Sequence, residues 1–271
     1  CLRMVFYPIV FSIYRLNTLL HIVTWRENMS SIENPGLHFA TLAKVAYLTQ
    51  AESKPGIHEL GYTKSVLVDH KGAECLIVEN SERVVLAFRG TEPKEFSDIK
   101  ADLKAWKRPS DTEGMVHAGF YDYLERIWEH AEAYCSTPAR KKKELYICGH
   151  SLGGAMATLA ASRLGDRVVA CYTYGSPRVG GRDWLAKQTF ENHRYVNNND
   201  VVPRVPFWIM GFRHYGELHY INYYGNLRKL TPWQKFKDSW RGRFRAWSKL
   251  ELFDGARDHS MDAYQAKIAK N

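Results

Sequence analysis

The most constraining feature of the chain is a five-residue stretch, Gly149-His150-Ser151-Leu152-Gly153. Before it stands a short apolar, β-rich run, residues 145–148. After it, residues 152–164 are dense in alanine and other small helix formers. A strand that becomes a helix within one or two residues forces the central serine into a strained backbone conformation, and only small flanking residues leave room for the turn. Such a serine is lifted above the edge of a sheet and stands at a helix N-terminus, where developing negative charge is stabilised. A capping serine in an ordinary glycine-rich turn is the plainer reading of the same residues.

The surrounding pattern agrees with a parallel sheet. Residues 66–69 look like a strand. Residues 75–78 and 84–88 are β-rich runs joined by Glu79-Asn80-Ser81-Glu82-Arg83, a hairpin signature. Helical spacing runs through residues 38–49 and 117–135, the second with Phe120, Leu124, Ile127, Trp128 and Ala131 on one face. Strands are expected at 168–174 and 193–196, and helices at 183–191 and 261–269. Beyond the hairpin, strands and helices alternate, which predicts an α/β fold with a mostly parallel central sheet flanked by helices. At 271 residues, 45% of them hydrophobic and 25% charged, the chain can bury one sizeable core.

No internal repeat or low-complexity linker divides it, so residues 29–271 are expected to form a single domain and residues 1–28 an N-terminal extension. The chain opens on Cys1 rather than Met, as a processed product or fragment does. The apolar run at residues 4–14 contains Pro8, ends at Arg15, and is too short to span a membrane. Cys75, Cys148 and Cys171 lie in apolar runs, where a free cysteine behaves as a small hydrophobe. Neither a C-x-x-C nor a Cys/His cluster at metal spacing is present, so no metal and no organic cofactor is expected.

A serine hydroxyl is a weak nucleophile unless a histidine takes its proton and an acid orients the histidine. Candidate bases after Ser151 are His193, His214, His219 and His259. His259 fits best, in a loop just before the last helix. The histidines near residues 214–223 read as structural. The acid should follow a strand end, and Asp200 closes the polar loop Asn197-Asn198-Asn199-Asp200, with Pro203 and Pro206 preventing a helix there. Asp166 falls in a turn on the wrong edge, and Asp183 reads as a helix cap. Asp258 is the rival acid, although a neighbour in sequence reaches its own imidazole poorly.

Six stretches together resemble the class 3 lipases, a family of fungal-type triacylglycerol lipases with the α/β-hydrolase fold. They are Phe88-Arg89-Gly90-Thr91, Val116-His117-Ala118-Gly119-Phe120, the segment from Gly149 to Ala155, the segment from Tyr174 to Gly180, Asn199-Asp200-Val201-Val202-Pro203, and Asp258-His259. The resemblance implies Ser151 as nucleophile, Asp200 as acid and His259 as base. It implies an oxyanion hole from the backbone N–H groups of Leu152 and Thr91, helped by the Thr91 hydroxyl. It also implies a helical lid over residues 92–108. Within residues 94–106, Phe96, Ile99, Leu103 and Trp106 share one face and charged residues the other. The implied activity is hydrolysis of lipid esters, triacylglycerols first. Phospholipase A1, short-chain and feruloyl-type esterases use the same machinery. A lipid-surface binding module without catalysis is the non-enzyme alternative.

The net charge is +9, and much of it is local. Between Arg228 and Lys249, eight lysines and arginines stand against Asp238 alone. There Trp233, Phe236, Trp240, Phe244 and Trp247 recur at helical spacing, as in a basic amphipathic helix on an anionic lipid surface. No nucleic-acid motif accompanies the charge. The expected partner is a lipid ester at an oil–water or membrane interface, with neither nucleic acid nor a transmembrane span, and with a monomeric chain. A secreted or cell-envelope location is favoured over the cytoplasm.

Overall fold

The computed structural model describes residues 32–91, 106–229, 231, 233–234 and 258–271. Helix α1 (Pro35–Val45) begins where Asn34 accepts the Leu37 N–H and proline occupies the first turn. Helix α2 (Gln50–Glu59) carries a complete capping box between Thr49 and Glu52. It was not anticipated from the sequence, because Pro55 lies inside it.

Three antiparallel strands follow: β1 (Lys64–His70), β2 (Ala73–Glu79) and β3 (Arg83–Phe88). The expected hairpin is there, with Asn80 Oδ1 accepting from the N–H groups of Glu82 and Arg83. A small ladder pairs β4 (Lys107–Pro109) with β5 (Met115–His117). Helices α3 (Ala118–Cys135) and α4 (Pro138–Lys141) lead to β6 (Glu144–His150), which runs into α5 (Leu152–Leu164). Then come β7 (Ala170–Tyr174), α6 (Arg182–Leu185), β8 (Asn192–Asn197), β9 (Glu217–Ile221), β10 (Leu227–Arg228) and α7 (Met261–Ile268).

The main sheet has the order β1-β2-β3-β6-β7-β8-β9-β10. Its five middle strands, from β3 to β9, are parallel, and antiparallel partners finish both edges. This is the mostly parallel sheet that the alternating pattern predicts. Period-two alternation splits the core. Val84, Leu86 and Phe88 face α3 and α5, whereas Val85 and Ala87 face α1 and α7. Because helices cover both faces, β3 is buried at every residue. Cys75, Cys135, Cys148 and Cys171 are free and buried, and burial pushes their thiols up.

Some expectations required correction. The helix expected at 183–191 is only four residues long. Asp183 is not its cap: Gly181 is, while the Asp183 carboxylate accepts the Met115 N–H. The expected lid ran to Arg108, yet Lys107 and Arg108 pair with β5, a tertiary contact that local spacing does not reveal. Trp106 precedes that strand and is exposed. Phe96, Ile99 and Leu103, the rest of the expected lid face, lie outside the described residues, as do residues 1–28. Of the basic segment's aromatic stripe, only Trp233 is described.

One ionic cluster pins the α3–α4 corner to the sheet. The Glu79 carboxylate accepts from Lys143 Nζ at 2.6 Å, Tyr134 Oη at 2.6 Å and Arg140 Nε at 2.9 Å. Burial alone would raise its pKa, but these three donors hold it down at about 2. A depressed carboxylate stabilises the fold above its unfolded value and loses that contribution as pH falls through the folded one. Glu79→Gln is therefore expected to lower unfolding free energy by about 2–3 kcal/mol at pH 7. The difference from the parent should shrink between about pH 4.5 and pH 2, and denaturant titrations across that range measure it.

Candidate active site

The turn between β6 and α5 positions the site. Ser151 sits at φ 58°, ψ −126°, a left-handed φ that L-residues rarely adopt. The turn closes because its glycines admit backbone in place of side chains. A Cβ on Gly153 would lie 2.1 Å from the carbonyl oxygen of Phe88 on the neighbouring strand. Ser151 occupies the N-cap position of α5, yet its side chain caps nothing. Its Oγ stands 2.9 Å from His259 Nε2. The capping interpretation of this serine is therefore excluded by the direction of its hydroxyl.

His259 Nδ1 lies 2.9 Å from Asp200 Oδ2. A carboxylate oxygen only accepts, so Nδ1 carries the proton and Nε2 presents its lone pair to Ser151. Asp200 follows β8 and is itself fixed on both oxygens. Oδ1 accepts the Val202 N–H at 2.9 Å, and Oδ2 also accepts the Tyr264 hydroxyl at 2.6 Å. Tyr264 in turn receives the Asn197 N–H. Ser151, Asp200 and His259 are all buried, so the pairing is strong and water competes little. Gly175 makes the Asp–His approach possible. It has φ +59°, and a Cβ there would lie 2.7 Å from Asp200 Oδ2 and 2.9 Å from His259 Nδ1.

The rival acid is placed elsewhere. Asp258 Oδ1 binds Lys267 Nζ at 3.0 Å and Asn197 Nδ2 at 3.2 Å. His214 is buried against the Pro203 carbonyl, and His193 pairs with His219; none of the three approaches Ser151 in the way His259 does.

Two further residues, which sequence reasoning missed, brace His259: His150 directly and Tyr47 behind it. His150 Nε2 lies 2.6 Å from the backbone oxygen of His259, and its Nδ1 2.7 Å from Tyr47 Oη. A carbonyl oxygen must accept, so Nε2 is the protonated nitrogen. Burial, and secondarily the neighbouring His259, hold the His150 pKa well below the usual histidine value. The ring is thus neutral, with Nδ1 accepting from Tyr47. Tyr264 was likewise missed. His150 lies inside the five-residue motif, but its partners come from positions 47 and 259, and no local spacing announces them.

Leu152 is the first residue of α5, so its N–H is one of the four that a helix leaves unsatisfied. Residues 90 and 91 end the run from β3 and adjoin the serine: a Cβ on Gly90 would lie 3.1 Å from Ser151 Cβ. The Thr91 hydroxyl is buried without a hydrogen-bond partner among the described residues. Phe207, Trp208, Ile209 and Met210 form an exposed apolar turn that follows Asp200 and Pro206 in the chain. Trp106 is exposed too, and Lys107 beside it reaches over the Phe212 ring at the loop's end.

Comparison with known proteins adds three findings. The family model described as lipase (class 3) matches residues 85–210. Among curated proteins, toxin TseL of Vibrio cholerae is 29% identical over 237 residues, covering 67% of this chain and 37% of that protein. Secreted mono- and diacylglycerol lipase A of Penicillium cyclopium is 40% identical over 171 residues, covering 59% of this chain and 54% of that one. The chain thus spans about half or less of the length of these relatives. Among solved structures, the lipase of Rhizopus microsporus var. chinensis superposes with a TM-score of 0.59 at 23% identity, covering 68% of this chain and 72% of that one. That likeness establishes a shared α/β-hydrolase fold.

Proposed function

Because the chain belongs to the class 3 lipase family, we propose that it is a serine hydrolase that cleaves carboxylic esters of lipids, acylglycerols foremost. The observation that carries this reading is the direction of the Ser151 hydroxyl, which leaves its helix uncapped and meets His259 Nε2 instead. In this reading Ser151 Oγ attacks the ester carbonyl while His259 Nε2 takes its proton. Asp200 stabilises the imidazolium and holds its tautomer. The Leu152 N–H and the N–H and hydroxyl of Thr91 receive the oxyanion, and a donor of this kind is worth on the order of 3 kcal/mol. His259 then protonates the departing alcohol. Water, activated by the same imidazole, releases the acid from Ser151.

No metal or organic group is needed for any of these steps. A single domain over residues 29–271 is consistent with the continuous sheet. No helix among the described residues is long and apolar enough to cross a membrane. A secreted location is supported by the names of the fungal relatives, which are called secreted lipases.

Ser151 is fully buried, so an ester reaches Oγ only after a rearrangement. The exposed loop of Phe207, Trp208, Ile209 and Met210 gives that step a lipid-facing surface, since such a patch gains by leaving water. Ile209→Asp is expected to lower turnover of emulsified triolein at least ~10-fold while changing hydrolysis of soluble p-nitrophenyl butyrate less than ~2-fold. Equal losses on both substrates would reject the interfacial role of the loop. An acyl-chain series, soluble against emulsified, with a phosphatidylcholine control, tests the substrate class. Turnover of short soluble esters alone would replace lipase by esterase, and phospholipid as the best substrate would indicate a phospholipase.

A further inference from the structure

Away from Ser151, at the opposite end of β8, three potential metal ligands converge on one face of the sheet. His193 lies on β8, and Glu217 and His219 lie on β9. The parallel register sets His193 opposite Glu217 and Tyr195 opposite His219, so the period of two places all these side chains on the same face. His193 Nδ1 is 3.0 Å from His219 Nε2. Glu217 Oε2 is 4.0 Å from the first and 3.9 Å from the second.

We propose that His193, Glu217 and His219 form a binding site for a divalent transition-metal ion of the Zn2+ type. Two nitrogens bound to one ion at about 2.1 Å lie roughly 3.0–3.4 Å apart, the separation the imidazoles already have. The carboxylate has to close by less than about 1 Å to complete the set, a movement open to a half-exposed side chain. Two imidazoles and one carboxylate are a donor set that suits Zn2+ and its first-row neighbours and leaves a coordination position for water.

The surroundings prepare these ligands as a metal site requires. Glu191 Oε1 lies 2.9 Å from His193 Nε2 and accepts its proton there, so Nδ1 faces the cluster with its lone pair free. That is the outer-shell carboxylate that orients a metal-binding histidine. Stacking holds both rings in place: His193 lies on Tyr172 at 4.8 Å, and His219 on Tyr195 at 4.7 Å and 14°. Lys229 Nζ approaches only the other Glu217 oxygen, Oε1, at 3.6 Å and is itself exposed. Without metal, the neutral His219 donates its Nε2–H to the His193 Nδ1 lone pair. On binding, the His219 proton moves to its Nδ1, so that His219 Nε2 and His193 Nδ1 both offer lone pairs to the ion.

Such an ion takes no part in hydrolysis. His193 stands four residues before Asn197, about 13 Å along the strand, with Asp200 further beyond. It would clip β9 to β8, the strand that delivers Asp200, and so raise stability by mass action.

The test is titration of chelator-treated protein with ZnCl2 against a chromophoric competitor, followed by thermal unfolding with and without Zn2+. One equivalent should bind with a Kd tighter than ~10 µM, and the unfolding temperature should rise by ~2 °C or more. Glu217→Gln and His219→Asn should each weaken binding at least ~10-fold and abolish the thermal shift. Glu191→Gln should weaken binding through the orientation of His193. Hydrolysis of a soluble ester should be the same before and after chelation. Glu217→Gln, at a half-exposed position, carries the test if His219→Asn does not fold. Absence of stoichiometric binding, or unchanged binding in Glu217→Gln, overturns the site, and neither result bears on the assignment of Ser151.

Discussion

Replacing Ser151 with alanine is expected to reduce ester hydrolysis by on the order of 10^5- to 10^6-fold in kcat while leaving the fold intact. Alanine removes one atom, Oγ, and with it the bond to His259 Nε2. The backbone strain at φ 58° is the same for any L-residue, so the turn between β6 and α5 gains no new conflict. His259 keeps its bond to Asp200, and the N–H groups of Leu152 and Thr91, proposed to receive the oxyanion, stay in place. What remains is the modest acceleration that binding and oxyanion stabilisation give to attack by water. Because an unused hydroxyl and imidazole held face to face are of little benefit to folding, the variant should unfold at the parent temperature or slightly above it. Measuring kcat on a soluble p-nitrophenyl ester, alongside labelling by an alkyl phosphonate, checks both halves. Activity within about 100-fold of the parent, or phosphonate labelling of the variant, would remove Ser151 from the role of nucleophile.

The second large effect is expected at Asp200→Asn, a fall on the order of 10^4-fold in kcat. Every contact of this carboxylate is an accepting one. The Val202 N–H points at Oδ1, and the Tyr264 hydroxyl and His259 Nδ1–H point at Oδ2. An amide has only one acceptor oxygen. If that oxygen stays with Val202, the NH2 faces His259 and forces Nδ1 to accept. The imidazole proton then moves to Nε2, where it blocks proton transfer from Ser151. If the amide flips, NH2 meets the Val202 N–H, and a buried donor loses its partner at a cost of about 1–3 kcal/mol. Asp200→Asn should therefore lose activity across the pH range and also lose stability, unlike Ser151→Ala. Activity close to the parent's would mean that another acid orients His259. Asp258, tied to Lys267 and Asn197, is not placed to be that acid.

Much of this site can be derived from local order alone. The strand–serine–helix turn is written in adjacent residues, because its constraint is steric and reaches only from Gly149 to Gly153. Asp200 was preferred to Asp258 on local grounds: it follows a strand end, whereas Asp258 adjoins His259 and reaches that imidazole poorly. The braces were not distinguishable. Tyr264 reads as one more apolar position on the last helix, and its bond to Asp200 exists only because α7 docks against α1 beside the end of β8. Tyr47 reads as the end of a helical run, yet its hydroxyl supports His150, 103 positions away.

The same distinction explains where expectations failed. Helix α2 forms around Pro55 because Thr49 and Glu52 cap it, although propensity alone argues against a helix there. The run expected as helix at 183–191 stops at Leu185, and Gly180 ahead of it is bridged to Val116 and Arg213 from other parts of the chain. Phe207, Trp208, Ile209 and Met210, on which the sequence carried no expectation, are large and apolar yet exposed. The turn that carries them lies past the end of β8, where none of the described layers covers it.

By itself, then, the sequence determined the features that depend on neighbours along the chain: the alternation of strands and helices, the forced turn at Ser151, and the order of Ser151, Asp200 and His259. Tertiary structure alone decided which side chains oppose one another across strands and layers. It gave Asp200 its third hydrogen bond, His150 its tautomer, and His193 its neighbours Glu217 and His219. Those outcomes depend on strand register and helix docking. A shift of one residue in strand register would turn the same side chains to the other face of the sheet, and a shift of one residue along a helix would turn them by about 100° around its axis.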